Sequence, residues 1–150
     1  MTVAATFKLR NSITRLLLAS TSVLTLLMVQ AASAQDVFIN GGQTVTVPSG
    51  AYPSPWAIPD DLFVADAGSG MLIIENGADV TVGGYIAVGV NYINASGTIT
   101  VTGAGSSLAG SSYVRLGHLG TGSLTISDGG LVTAPVVYMG SYANDTSSGS

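Results

Sequence analysis

Gly122-Ser123-Leu124-Thr125-Ile126-Ser127-Asp128-Gly129-Gly130-Leu131-Val132-Thr133 is the stretch whose reading decides the fold of this chain. Leu124 and Ile126 alternate with Ser123, Thr125 and Ser127, the pattern of a strand with one buried face. Asp128-Gly129-Gly130 then supplies residues that tolerate positive φ and so form a corner. The opening recurs upstream as Gly70-Met71-Leu72-Ile73-Ile74 and Gly97-Thr98-Ile99-Thr100-Val101, and the three copies start 27 and then 25 residues apart. A recurrence of that period marks a solenoid, in which each coil buries its apolar face only against its neighbours.

The copies superpose along their whole length. After the first strand come the corners Asn76-Gly77, Gly103-Ala104-Gly105 and Asp128-Gly129-Gly130. A second short strand follows, carrying Val80-x-Val82, Leu108 alone, and Val132-x-Ala134. A third ends on glycine in each copy: Ile86-Ala87-Val88-Gly89, Val114-Arg115-Leu116-Gly117 and Val137-Tyr138-Met139-Gly140. Three strands and three corners per coil predict an all-β, right-handed single-stranded parallel β-helix. Leu72, Ile99 and Leu124 would stack as one interior ladder, Ile74, Val101 and Ile126 as a second, and Val88, Leu116 and Met139 as a third. Thr and Ser between them face water, where β-branched and hydroxyl side chains suit a pleated surface.

Residues 35–69 read as a degraded first coil, with Phe38 to Val47 matched to Ile74 to Val82 and Leu62 to Ala65 matched to Ile86 to Gly89. Between them, Pro48, Pro53, Pro55 and Pro59 surround Trp56, and since proline cannot donate to a ladder, 48–61 reads as an inserted loop. The repeats proper then occupy 70–96, 97–121 and 122–148, giving about four coils. Gly149-Ser150 reproduces the opening of a further copy, so the sequence is expected to break off at the start of another repeat.

Residues 1–34 read as an export signal: Lys8, Arg10 and Arg15 form a basic leader, Leu16 to Val29 an apolar core, and Ala32-Ser33-Ala34 a cleavage motif before Gln35. The apolar run is shorter than the roughly 20 residues of a membrane span. Removal of the leader takes three of the four basic residues, leaving Arg115 against eight acids and a formal charge of −7. Such a chain cannot neutralise phosphates, so no nucleic-acid partner is expected. Cysteine is absent. An exported protein without disulfides must draw its stability elsewhere, and stacking supplies it.

The repeat Gly-(Ser/Thr)-Leu-Thr-Ile-Ser-Asp-Gly-Gly-x-Val-Thr, followed by a strand ending in apolar-Gly, resembles the short repeats of bacterial autotransporter (type V secretion) passengers. Similar repeats occur in surface proteins with PEP-CTERM sorting tails. The resemblance covers roughly residues 37–150 and implies a signal peptide, a β-helical passenger at the cell surface, and a C-terminal outer-membrane barrel as translocator. Neither barrel nor sorting tail has a counterpart among the ten residues that follow Gly140.

The search for chemistry yields little. Glu75, Asp79 and Asp128 fall near one corner and would make it acidic, but carboxylates beside turn glycines read first as solvated. His118 is the single histidine, and without cysteine or a second imidazole it makes no transition-metal cage. Arg115 sits at an outward strand position. No phosphate-cradling loop and no calcium-binding nonapeptide occur. No cofactor, metal or catalytic residue is therefore expected. Better candidates for surface contacts are Tyr52 and Trp56 in the proline-rich loop, and Tyr85 and Tyr113, which align just before the third strands and would stack as an aromatic ladder. The expected function is that of an exported, noncatalytic scaffold or adhesin-like stalk whose partners are host or matrix glycans or proteins. The alternatives are a fragment of a β-helical polysaccharide lyase or hydrolase, and a structural component of a surface layer or biofilm matrix.

Overall fold

A computed structural model describes residues 35–140. The expected signal peptide, with Ala34 of its cleavage site, and the expected start of a further repeat lie outside the described residues. Thirteen strands and no helix are found among the described residues. In chain order they are β1 (Val37–Ile39), β2 (Gln43–Val47), β3 (Trp56–Ile58), β4 (Leu62–Val64), β5 (Ser69–Ile74), β6 (Asp79–Val82), β7 (Ile86–Val88), β8 (Ser96–Thr102), β9 (Ser107–Gly110), β10 (Tyr113–Leu116), β11 (Thr121–Ser127), β12 (Leu131–Thr133) and β13 (Val136–Met139).

These strands form three parallel sheets, β1-β4-β7-β10-β13, β2-β5-β8-β11 and β3-β6-β9-β12. Each coil contributes one strand to each sheet, and the chain is a parallel β-solenoid of four coils preceded by one extra strand, β1. The register follows the sequence ladders residue for residue: Leu72 lies against Ile99 and Ile99 against Leu124, while Ile74, Val101 and Ile126 form the next rank. Val88, Leu116 and Met139 form the third. A slip of one residue would turn every aliphatic side chain of a strand outward, so alternation excludes odd slips, and the pairing of opening glycine on opening glycine sets the rest. The core is the column of buried Ile, Leu and Val running from Ile39 to Leu116.

The opening glycines owe their identity to space. None of them has the positive φ of a corner; a Cβ on Gly70 would lie 2.0 Å from the Ile39 carbonyl oxygen, on Gly97 2.5 Å from that of Val64, and on Gly122 2.3 Å from that of Val88. Those three carbonyls accept the N–H of Ala65, Gly89 and Gly117 in turn, the bonds that close the corner after each third strand. Asn76-Gly77 and Asp128-Gly129, by contrast, do adopt positive φ, at 56°, 74°, 51° and 85°. Ser106, the one buried polar side chain among the described residues, accepts the Gly77 N–H at 3.0 Å and so ties two successive corners together.

Two expectations for the first coil are corrected. Gln43–Val47 is a first strand, not a second: Val45 pairs with Leu72 and Val47 with Ile74. Asn40-Gly41-Gly42 follows a third strand, β1, and the mistake arose because Asn-Gly serves either kind of corner while Thr-Val-Thr-Val fits any half-buried strand. Nor is 48–61 uninterrupted loop. Trp56-Ala57-Ile58 is the second strand of the coil, paired with Val80-Thr81-Val82, and the four prolines flank it without entering it.

Candidate functional site

The sheet β1-β4-β7-β10-β13 presents two outward columns of side chains. In one, Phe38, Phe63, Ala87, Arg115 and Tyr138 are successive register partners. Two residues earlier, extension of the same register places Asp36, Asp61, Tyr85, Tyr113 and Val136 in the other. Five aromatic rings drawn from both columns form a continuous stack. Phe38 lies on Phe63 (4.7 Å between centroids, 4° between planes) and Tyr85 on Tyr113 (5.0 Å, 5°). Phe63 meets Tyr85 edge-on at 5.4 Å, and Tyr113 meets Tyr138 edge-on at 5.6 Å.

The step between columns has a steric cause. Ala87 has no ring to continue the first column, so Phe63 and Tyr85 close over it, and with Val90 they make a small apolar cluster on the outside of the solenoid. The Arg115 guanidinium completes the far end, 5.6 Å from the ring centres of both Tyr113 and Tyr138, within cation–π range. Tyr85 and Tyr113 thus form the ladder their spacing predicts, and Phe38, Phe63 and Tyr138 extend it.

At the N-terminal end of this face lie Asp36, Asp60 and Asp61, with a carboxylate oxygen of each within 4.8 Å of the others. They are the grouping among the described residues that could hold a cation. The pairing of β1 with β4 brings Asp36 beside Asp61, and an Asp36 oxygen accepts the Asp61 N–H at 3.3 Å. Asp61 Oδ1 accepts the Tyr85 N–H at 2.9 Å, and a Cβ on Gly84 would fall 1.9 Å from that same oxygen. Burial first, then the negative charge of Asp61, pushes the Tyr85 phenol up to about 12, so this ring remains neutral at any physiological pH.

The other sequence candidates resolve differently. Trp56 pairs with Val80, an inward position, and with Tyr52 (4.8 Å away, tilted 55°) it packs on the end of the core. Both are half-buried and close the first coil instead of standing free on a loop. The acids expected to share a corner each hold a separate partner: Glu75 accepts from the Asn76 amide, Asp79 from Ser107 Oγ and Asp128 from Thr102 Oγ1. His118 is half-buried in the corner after β10, where its backbone N–H donates to the Gly89 carbonyl. An open depression of about 510 Å³ lies at the neighbouring corner, between Ala67, Asn91, Tyr92, Ile93 and Leu119. Asn91 donates to Asp66 beside it.

The acidic grouping was missed although a signal for it exists. Asp36-Val37-Phe38-Ile39 is echoed by Asp61-Leu62-Phe63-Val64, 25 residues later, one coil length. Comparison with known protein families, curated proteins and solved structures finds no match.

Proposed function

We propose that this chain is an exported, noncatalytic β-helical passenger that acts at the cell surface as a scaffold or adhesin-like stalk. The observation that carries the reading is the strict in-register repetition of three strands per coil, in which side-chain chemistry is spent on stacking and the coil count sets the reach. At about 4.8 Å per coil, each added repeat projects the outer loops farther while leaving the ladders unchanged. The basic-apolar leader supports export, and the repeat chemistry supports an autotransporter-like route with an outer-membrane barrel as translocating partner. The aromatic ladder with Arg115 is the surface through which glycans or proteins of a host or matrix would be held, since exposed ring edges, phenol hydroxyls and a guanidinium offer both apolar area and donors.

Display of the passenger on a bacterial surface tests this directly. Attachment to cells or matrix should rise with display and fall when Tyr113 and Tyr138 are changed to alanine; unchanged attachment would refute the adhesin reading. The juxtaposition of three carboxylates with tyrosines favours a second reading, a polysaccharide-acting β-helix. Incubation with a panel of polysaccharides separates the two, because reproducible cleavage lost in Asp61→Asn would establish the enzyme.

A further inference from the structure

The corners that lead from third strands to first strands differ in length. Residues 65–68 join β4 to β5 and residues 117–120 join β10 to β11, four in each case, whereas residues 89–95 carry the chain from β7 to β8 in seven. Both ends of the long corner are fixed. Gly89 donates its N–H to the Val64 carbonyl (2.9 Å), Ser96 donates to that of Gly68 (2.8 Å), and the Ala95 carbonyl accepts the N–H of Thr121 (2.8 Å). Val90 and Ala95 are buried, so the added length is pushed outward at 91–94. There Ala95 donates its N–H to the Tyr92 carbonyl at 3.0 Å, closing a β-turn whose third residue is Asn94. Gly120 of the next coil makes room for this turn: a Cβ there would lie 2.7 Å from the Tyr92 carbonyl oxygen and 2.4 Å from that of Ala95.

Asn94-Ala95-Ser96 is an Asn-x-Ser triplet, the acceptor pattern for asparagine-linked sugars. We propose that Asn94 is a glycosylation site and that Tyr92 supports the first sugar, a hexose or N-acetylhexosamine. Asn94 and Ser96, the two residues that must be reached, are exposed, and the middle residue Ala95 is the one that is buried. The triplet falls at the tip of the longest of these three corners, the surface-loop setting that such an acceptor requires. The ground around it is apolar and open. Tyr92 is 59% exposed, Ile93 78% and Leu119 44%, and together with Ala67, Asn91 and Asn94 they line the depression of about 510 Å³ at this corner. Tyr92 opens the turn in which Asn94 stands third, so a sugar on Asn94 can lay its C–H face on the tyrosine ring and turn its hydroxyls to water.

The transfer is redox-neutral. Nδ2 of Asn94 bonds to the anomeric carbon of a sugar donor activated through phosphate, either nucleotide-linked or lipid-linked. The bond from that carbon to the phosphate oxygen breaks, the phosphate leaves with the electron pair, and the amide gives up one proton. A partner transferase supplies the base and grips the Ser96 hydroxyl. The attached sugar covers the apolar tip formed by Tyr92, Ile93 and Leu119, whether or not the chain is adhesive.

Transfer to the purified, folded full chain tests the proposal without requiring export. One arm uses a soluble N-glycosyltransferase with a nucleotide sugar, the other an oligosaccharyltransferase with a lipid-linked oligosaccharide, and mass spectrometry locates the sugar residue by residue. Sugar should appear on Asn94 in at least one arm, which identifies the donor, be lost in Asn94→Gln and Ser96→Ala, and return in Ser96→Thr. In Tyr92→Ala the transfer should persist, but the upfield NMR shift that a tyrosine ring imposes on the sugar protons it faces should vanish. Asn144-Asp145-Thr146, a second such triplet outside the described residues, serves as the internal reference. Transfer to Asn144 but not to Asn94, to neither in both arms, or to Asn94 only after unfolding in urea would overturn the site. Sugar-proton shifts identical in the parent and Tyr92→Ala would overturn the role of Tyr92.

Discussion

Replacing Gly97 with alanine should destabilise the solenoid through a single misplaced methyl group. Gly97 opens β8 in the middle of the stack, and a Cβ there would sit 2.5 Å from the Val64 oxygen, 2.7 Å from Val88 Cγ1 and 3.1 Å from the Gly89 nitrogen. Val64 O and Gly89 N are the two ends of one 2.9 Å corner hydrogen bond, so the methyl group drives into the bond itself. Losing that bond costs about 1 kcal/mol, and crowding a packed region adds about 1 to 3 kcal/mol. The smaller entropy of an unfolded chain with alanine returns about 0.5 to 1 kcal/mol. The net loss is about 1 to 3.5 kcal/mol, a fall in urea midpoint of roughly 0.7 to 2.3 M for an m-value of about 1.5 kcal/mol/M. Urea unfolding followed by the fluorescence of the single tryptophan, Trp56, measures it. Gly41→Ala is the control: its φ is +63° with nothing within 4 Å of a Cβ, so it should cost only the left-handed strain, about 1 kcal/mol. A Gly97→Ala chain as stable as the parent, or less affected than Gly41→Ala, would refute the close-approach argument.

The depth of the core predicts a contrast between coils: Ile99→Ala, fully buried between Leu72 and Leu124, should lose about 2 to 5 kcal/mol in the same unfolding assay, and Ile126→Ala, where the side chain is half-exposed, clearly less. Because the Tyr85 phenol is raised from 10.0 to about 12 by burial and by Asp61, an ultraviolet phenolate titration should show one of the six tyrosines ionising late, and Tyr85→Phe should remove that step. The folded state then holds a proton that the unfolded chain has released, so the contribution is complete below pH 10 and is lost as pH rises toward about 12. Over that window the Tyr85→Phe chain should lose stability less steeply than the parent, as thermal unfolding against pH would reveal. Tyr113→Ala, which removes the ring stacked on Tyr85, should cost about 0.5 to 1.5 kcal/mol beyond its lost area in the same unfolding assay.

Most of the architecture was legible because period-two alternation and corner glycines are local signals that repeat. Leu124 and Ile126 specify which face is buried, and the echo of Gly70, Gly97 and Gly122 specifies what lies above what. The first coil was harder to read, since Thr44-Val45-Thr46-Val47 fits any strand and the prolines around Trp56 hid a strand of three residues. The Tyr85–Tyr113 stack could be read from spacing alone. Its continuation through Phe63 could not, because that ring crosses from one outward column to the other only where Ala87 leaves space. The carboxylates of Asp36, Asp60 and Asp61 converge because β1 pairs in the sheet of the third strands, β4, β7, β10 and β13, an assignment that required the Asp-aliphatic-Phe-aliphatic echo to be noticed.

The stacking of equivalent positions is tested most directly by cysteine pairs, in a chain that has no cysteine of its own. Thr100 and Thr125 are outward register partners on β8 and β11, about 4.8 Å apart and within disulfide reach. Ser127 lies two residues farther along, about 8 Å from Thr100 and beyond that reach. Mild oxidation should close a disulfide in the Thr100→Cys, Thr125→Cys chain and none in the Thr100→Cys, Ser127→Cys chain. Closure of the second pair in preference to the first would contradict the solenoid register on which every other statement rests.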